Sequence, residues 1–134
     1  MFVYVLIAIG GAIGSVARFW LSGVVSKNVG DSFPWGTIFV NVSGSLLIGI
    51  LAALVGPNGK MEANARALTT HFLILGVCGG YTTFSSFSLQ TFSMLQEKHY
   101  LAAGGNILLS TALCLFAVAA GFWIGTLMNP DRPL

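Results

Sequence analysis

Charge is what this chain has least of. Charged residues make up 7% of its 134 positions, against about 25% in an ordinary soluble domain. So few cannot cover a water-facing surface, which excludes a soluble globular fold. Acids are scarcest. Asp31, Glu62, Glu97 and Asp131 all fall in loops or near the ends of apolar segments, so no carboxylate lies mid-membrane. The six bases, Arg18, Lys27, Lys60, Arg66, Lys98 and Arg132, are scattered, and without a basic run nothing points to nucleic acid. Cysteine is sparse too. Cys78 and Cys114 each sit inside an apolar segment and read as small buried hydrophobes, not as a disulfide. His71 and His99 have no nucleophile or metal-ligand cluster beside them. Enzymatic chemistry therefore has no support, and both histidines read as interfacial.

What the chain has is apolar length. Hydrophobic residues make up 55% of it, a composition suited to lipid as solvent. A helix needs about 20 apolar residues to cross the hydrocarbon core. Four segments meet that length, at about 3–25, 36–55, 67–95 and 101–128. The connections, 26–35, 56–66 and 96–100, are short, and a tail at 129–134 carries two prolines that end the last helix. The expected fold is one all-α integral membrane domain over 1–134 with four transmembrane helices. The N-terminal apolar stretch has no side-chain positive charge before it and runs on through glycines, so it reads as the first span, not a cleaved signal.

Four spans put both termini and the second loop on one side, with Lys60, Arg66 and Arg132. Lys27 and Lys98 lie opposite, with Arg18 leaning toward them. This even balance gives the positive-inside rule no direction. Either orientation is left to the insertion machinery, or copies insert both ways and pair antiparallel. Gly10 and Gly14 form a GxxxG pair, joined by Gly11 and Ser15. Such spacing lets helices approach closely in lipid, within one subunit or between two. Four helices can hardly enclose a pore and also fill their own interior, and a dimer is the simplest remedy.

Polar residues inside a membrane are costly and therefore informative. Thr37, Asn41 and Ser45 are spaced four apart in the second segment, and Asn106, Ser110 and Cys114 repeat that spacing in the fourth. Each set lies on one helix face. Such stripes either glue helices together or line a path. Asn41-Val42-Ser43 matches a glycosylation triplet, but its mid-membrane position makes that a chance match. The third segment holds the run Gly79-Gly80-Tyr81-Thr82-Thr83-Phe84-Ser85-Ser86-Phe87-Ser88. Paired glycines followed by paired threonines are poor mid-helix residues, so a broken helix is expected here. Freed backbone inside a bilayer is tolerated only where protein or water satisfies it, and broken helices often coordinate ions. Phe84 and Phe87 share a face, with Ser85 and Ser88 on the adjacent one. Aromatic edges are positive, so ring edges with hydroxyls and amides can stabilise a small anion without holding it too tightly to leave.

The run Gly79–Ser88 closely resembles the central signature of the Fluc (CrcB) fluoride channels. So do Gly10-Gly11-Ala12-Ile13-Gly14-Ser15-Val16-Ala17-Arg18-Phe19 and Gly36-Thr37-Ile38-Phe39-Val40-Asn41, in the family's order. The resemblance covers all four spans. It implies a dual-topology homodimer of antiparallel copies in the bacterial inner membrane, with two fluoride pathways lined by both subunits. Asn41, Thr83, Phe84, Ser85, Phe87, Ser88, Asn106, Ser110 and Cys114 would belong to the pathway, with Arg18 at its entrance. A sodium ion at the dimer centre would be held by the backbone carbonyls of Gly79 and Thr82. Fluoride enters a cell as neutral hydrogen fluoride and is trapped as the anion, so a passive channel suffices for export. Tyr81 departs from the leucine of many relatives, Cys114 from their threonine or serine, and the 56–66 loop is longer. Small multidrug exporters, also four-helix dual-topology dimers, need a membrane-embedded acid that this chain lacks. A non-transporting helper subunit would use its stripes as glue alone.

Overall fold

A computed structural model describes residues 1–56 and 61–128. Lys60, Arg132 and the proline-bearing tail lie outside them. Four segments are long and apolar enough to cross a membrane, with 28, 21, 34 and 28 residues. The first is α1, Phe2–Val29, and the second α2, Trp35–Val55. The third is composite. It runs through α3 (Ala63–Leu68), a π-helical stretch (Thr69–Cys78), the single turn α4 (Gly79–Tyr81) and α5 (Phe84–Gln96). The fourth is α6, Tyr100–Leu127. No strand occurs among the described residues.

The ends follow from local chemistry. The first helix runs to Val29, beyond the apolar run, and within its last turn Asn28 Nδ2 donates to the Val24 carbonyl at 2.7 Å. It stops at Gly30, whose φ of 102° needs a residue without a side chain, and whose N–H donates to the Ser26 carbonyl at 2.8 Å. Pro34 precedes α2 and lends its carbonyl to the Ile38 N–H at 3.0 Å. The α5–α6 hairpin turns at Lys98, which takes a φ of 62° usually left to glycine. There the Lys98 and His99 amides close onto the Leu95 and Met94 carbonyls.

Glycine sets the interhelical distances. The most extensive contact is α2 against α6. A Cβ on Gly49 would strike the Val118 carbonyl, and one on Gly121 the Leu46 carbonyl. Across α1, Gly10 and Gly14 press against the Phe72 and Val77 carbonyls of the π-helical stretch. The GxxxG pair is therefore occupied by packing within the chain. Gly80 sits against the Gly11 carbonyl in the same way and is itself helical. The backbone leaves the helix two residues later, at Thr82 (φ −79°, ψ 156°) and Thr83 (φ −150°, ψ 107°). The third span is broken at the threonines, not at the glycines beside them.

Candidate ion pathway

A break inside a bilayer leaves backbone groups that water cannot satisfy, so each one needs a partner. The Thr82 N–H and its hydroxyl both donate to the Cys78 carbonyl, each at 3.0 Å. Thr83 is held from α2. Its N–H donates to Asn41 Oδ1 at 2.8 Å, and Asn41 Nδ2 donates to its carbonyl at 3.1 Å. One side-chain amide thus stands in for the peptide that a continuous helix would have supplied. The Thr83 hydroxyl then caps α5 by accepting the Ser86 N–H at 3.1 Å. Tyr81 adds a second tie to α2, its hydroxyl lying 2.9 Å from Ser43 Oγ. The Gly80 carbonyl accepts from Arg18 Nε at 3.2 Å and from the Ser15 hydroxyl at 3.4 Å. Among the described residues nothing donates to the Gly79 or Thr82 carbonyls.

Beside the break lies a cavity of about 390 Å³. Its wall is formed by Asn41, Ser45 and Ile48 of α2, by Thr82, Thr83, Phe84 and Phe87 of the third span, and by Ser110, Thr111, Cys114 and Leu115 of α6. No charged side chain is among them. The two phenylalanine rings lie 5.4 Å apart at 46°. Phe84 is 79% exposed, a large ring left uncovered by its own chain. The cavity therefore offers ring edges, hydroxyls, a thiol and an amide, next to backbone carbonyls without donors.

A family model described as CrcB-like protein, Camphor Resistance (CrcB), matches residues 5–122, which include all of these groups. The chain belongs to the CrcB-like family. It is 51% identical over 125 residues to the fluoride-specific ion channel FluC of Opitutus terrae, covering 93% of this chain and 90% of that one. It is 48% identical over 122 residues to the FluC of Rhodospirillum rubrum (91% and 90% covered) and 46% over 126 residues to that of Methylocella silvestris (94% and 95% covered).

In this CrcB-like chain the cavity gathers Asn41, Thr83, Phe84, Phe87, Ser110 and Cys114. Other expected residues lie apart from its wall. Asn106 is 1% exposed and sits behind it, donating to Thr91 Oγ1 at 2.8 Å. Ser110 donates to Asn106 Oδ1 at 3.2 Å, and Thr91 donates to the Phe87 carbonyl at 2.8 Å. A buried chain of hydrogen bonds thus ties the α6 stripe to the helix that carries Phe87. Ser88 is turned onto the Phe84 carbonyl at 2.9 Å, and Ser85 is exposed beside Thr83. Arg18 is half-buried at the depth of the break, on Gly80, and not on the cavity wall. Thr37 opens instead into a separate recess of about 430 Å³ near the α1–α2 connection, with Ser22, Ser26, Lys27 and Gln90.

Thr91, Thr111 and the Tyr81–Ser43 bond carry parts of this site that sequence reading passes over. Thr91 lies four residues after Phe87 and so shares its face. That is a usable signal. Thr111 follows Ser110 by one residue and lies off the stripe, so periodicity hides it. No group of three or more His, Cys, Asp or Glu that would hold a metal occurs among the described residues.

Proposed function

We propose that this chain is a passive channel through which fluoride leaves the bacterial cytoplasm, lessening its toxicity. The observation that carries the reading is the uncharged cavity at the broken third span, with two phenylalanines in its wall. An anion entering lipid must exchange its water for other positive partners. Ring edges and O–H or N–H groups supply them without a fixed cation that would trap the ion. The family match and the relatives named fluoride-specific ion channels support the same ion. No proton-carrying carboxylate stands in the cavity wall, so coupled transport has no group to run on. The membrane potential alone can drive the anion outward.

The working unit in this reading is two inverted copies. Support comes from the balanced charges, from Phe84 left 79% exposed, and from large side chains such as Ile13, Val16 and Trp20 turned outward along α1. The sodium ion fits the same picture. Gly79 and Thr82 present carbonyls that no described donor satisfies, and two copies would bring four such oxygens together. Hard cations favour oxygen donors of this kind. When bound, the ion would supply positive charge against converging carbonyl dipoles and so join the copies. The residues that hold it would do so through main chain alone.

The decisive experiment is efflux from liposomes followed with a fluoride electrode. Purified protein should release fluoride under a driving potential and retain chloride. Phe84→Ile and Phe87→Ile should each cut the fluoride rate by about a hundredfold, the scale of a preorganised electrostatic contact, while assembly stays unchanged. Equal chloride release would reject selectivity. Normal rates in both variants would reject the ring-edge account.

A further inference from the structure

The cavity wall contains more hydroxyl and amide groups than free protons. Thr82 has given its hydroxyl proton to the Cys78 carbonyl, and Thr83 to Ser86 Oγ at 3.0 Å. Ser110 has given its own to Asn106 Oδ1, and Asn41 has committed one amide proton to Thr83. Each of these groups is busy holding helices together. Two hydroxyls on the wall are not. Ser45 of α2 and Thr111 of α6 line the cavity and bond to nothing among the described residues. Hydroxyls on lipid-embedded helices ordinarily turn back onto a carbonyl three or four residues earlier. Ser43, Ser88, Thr91, Ser93 and Thr126 all do so in this chain. Ser45 and Thr111 do not.

We infer that Ser45 and Thr111 are ion-contacting residues, donating their hydroxyl protons to the anion in transit. The inference rests on the channel reading above. Ser45 belongs to the α2 stripe, which spacing alone left as glue or path, Thr111 lies off the α6 stripe, and the family resemblance names neither as a pathway residue. Asn41 and Ser45 are four residues apart on α2, about 6 Å along the axis, so Ser45 continues the wall one turn beyond the amide that clamps the break. Thr111 stands on α6, three residues from Cys114, about 4.5 Å along the axis. Donors from two helices thus share one wall with the phenylalanines. An anion that has lost water meets a fresh hydrogen-bond donor at each step, while the busy donors keep the wall rigid. The thiol of Cys114 is a weaker donor and leaves more of the work to these two hydroxyls.

The test compares Ser45→Ala, Thr111→Val and Thr111→Ser with the unaltered protein in fluoride-loaded liposomes. Thr111→Val keeps the shape and removes the hydroxyl, whereas Thr111→Ser keeps the hydroxyl and removes a methyl. Ser45→Ala and Thr111→Val should each slow fluoride efflux by about fivefold, the rate equivalent of one lost hydrogen bond. Thr111→Ser should run close to the unaltered rate, and all three should elute and melt as the parent does. If the parent conducts and Thr111→Val matches it, the assignment of Thr111 is overturned. Ser45→Ala conducting at the parent rate does the same for Ser45. Should Ser45→Ala fail to fold, Ser45→Thr restores the hydroxyl on the same backbone, and a parent-like rate there supports the donor role while a slowed rate in well-folded protein opposes it. A parent that releases no fluoride would instead remove the channel reading itself, and with it this inference.

Discussion

The stripes on α2 and α6 are built alike, an asparagine followed one turn on by a small polar residue, but they serve different structures. Asn41 reaches across to main chain and replaces the missing peptide partner of Thr83 with both ends of its amide. Asn106 reaches only to side chains, linking Thr91 to Ser110 in a fully buried row. The difference decides what each asparagine is worth. A backbone N–H and C=O freed inside lipid have nowhere else to go. Thr91 already bonds the Phe87 carbonyl, and Ser110 can turn to a carbonyl of its own helix. One amide is a clamp on a broken helix; the other is a rivet between two intact ones.

Replacing Asn41 by leucine should therefore have the largest effect of any change in either stripe. It strands two main-chain groups, each worth about 1–3 kcal/mol when buried without a partner. Melting of the purified protein in detergent should drop steeply, and fluoride efflux should cease. Asn41→Asp separates the clamp from the pathway. It keeps the acceptor for the Thr83 N–H, loses the donor, and places a negative charge in a neutral cavity. Its melting point should fall less than that of Asn41→Leu, while efflux should still be blocked. An Asn41→Leu protein as heat-resistant as its parent would show that the clamp is not what holds the break.

How much of this could be read from residue order depends on distance along the chain. Run length was enough for the four spans, because crossing lipid is a local requirement on about 20 residues. The run from Gly79 to Ser88 was enough to place an interruption in the third span. It could not say that Gly80 stays helical, nor that it packs against Gly11, 69 positions earlier. Nor does the apolar run Thr69–Cys78 carry any mark of π-helical winding. The stripes were legible as faces, but their assignments were not. Asn41 meets a partner 42 residues away, and helical spacing shows only which residues share a side. The Gly10–Gly14 pair left open whether it joined two chains or two helices of one, and the Phe72 and Val77 carbonyls are what it meets.

Asn106→Leu tests the other half of the comparison. Leucine has the branching and heavy-atom count of asparagine, with bulkier methyl ends, and removes donor and acceptor together, so no charge or amide is left unpaired. Polar links between membrane helices contribute about 0.6 kcal/mol on average. The melting point should fall only slightly, well short of Asn41→Leu. A double-mutant cycle with Thr91→Val should return a coupling of similar size. If Asn106→Leu instead melts as low as Asn41→Leu, the two asparagines do equivalent work and the distinction between clamp and rivet is lost.

The smallest expected effect lies at the far end of the α6 stripe. Cys114 is half-buried on the cavity wall, and its thiol is free. Changing it to serine exchanges a weak donor for a stronger one of smaller size. A hydroxyl there can rest on the Ser110 carbonyl one turn earlier when no ion is near, so the stability should stay within about 0.5 kcal/mol of the parent, as for changes that strand no buried group. Fluoride efflux should be equal or faster, by about fivefold at most, the value of one hydrogen bond. Cys114→Val keeps the bulk but offers no proton, and should be the slower of the pair. The order serine, cysteine, valine would show that α6 turns from riveting helices to meeting the ion within its own length. Three equal rates would confine that helix to packing at this position and leave the donors to Ser45, Thr111 and the second amide proton of Asn41.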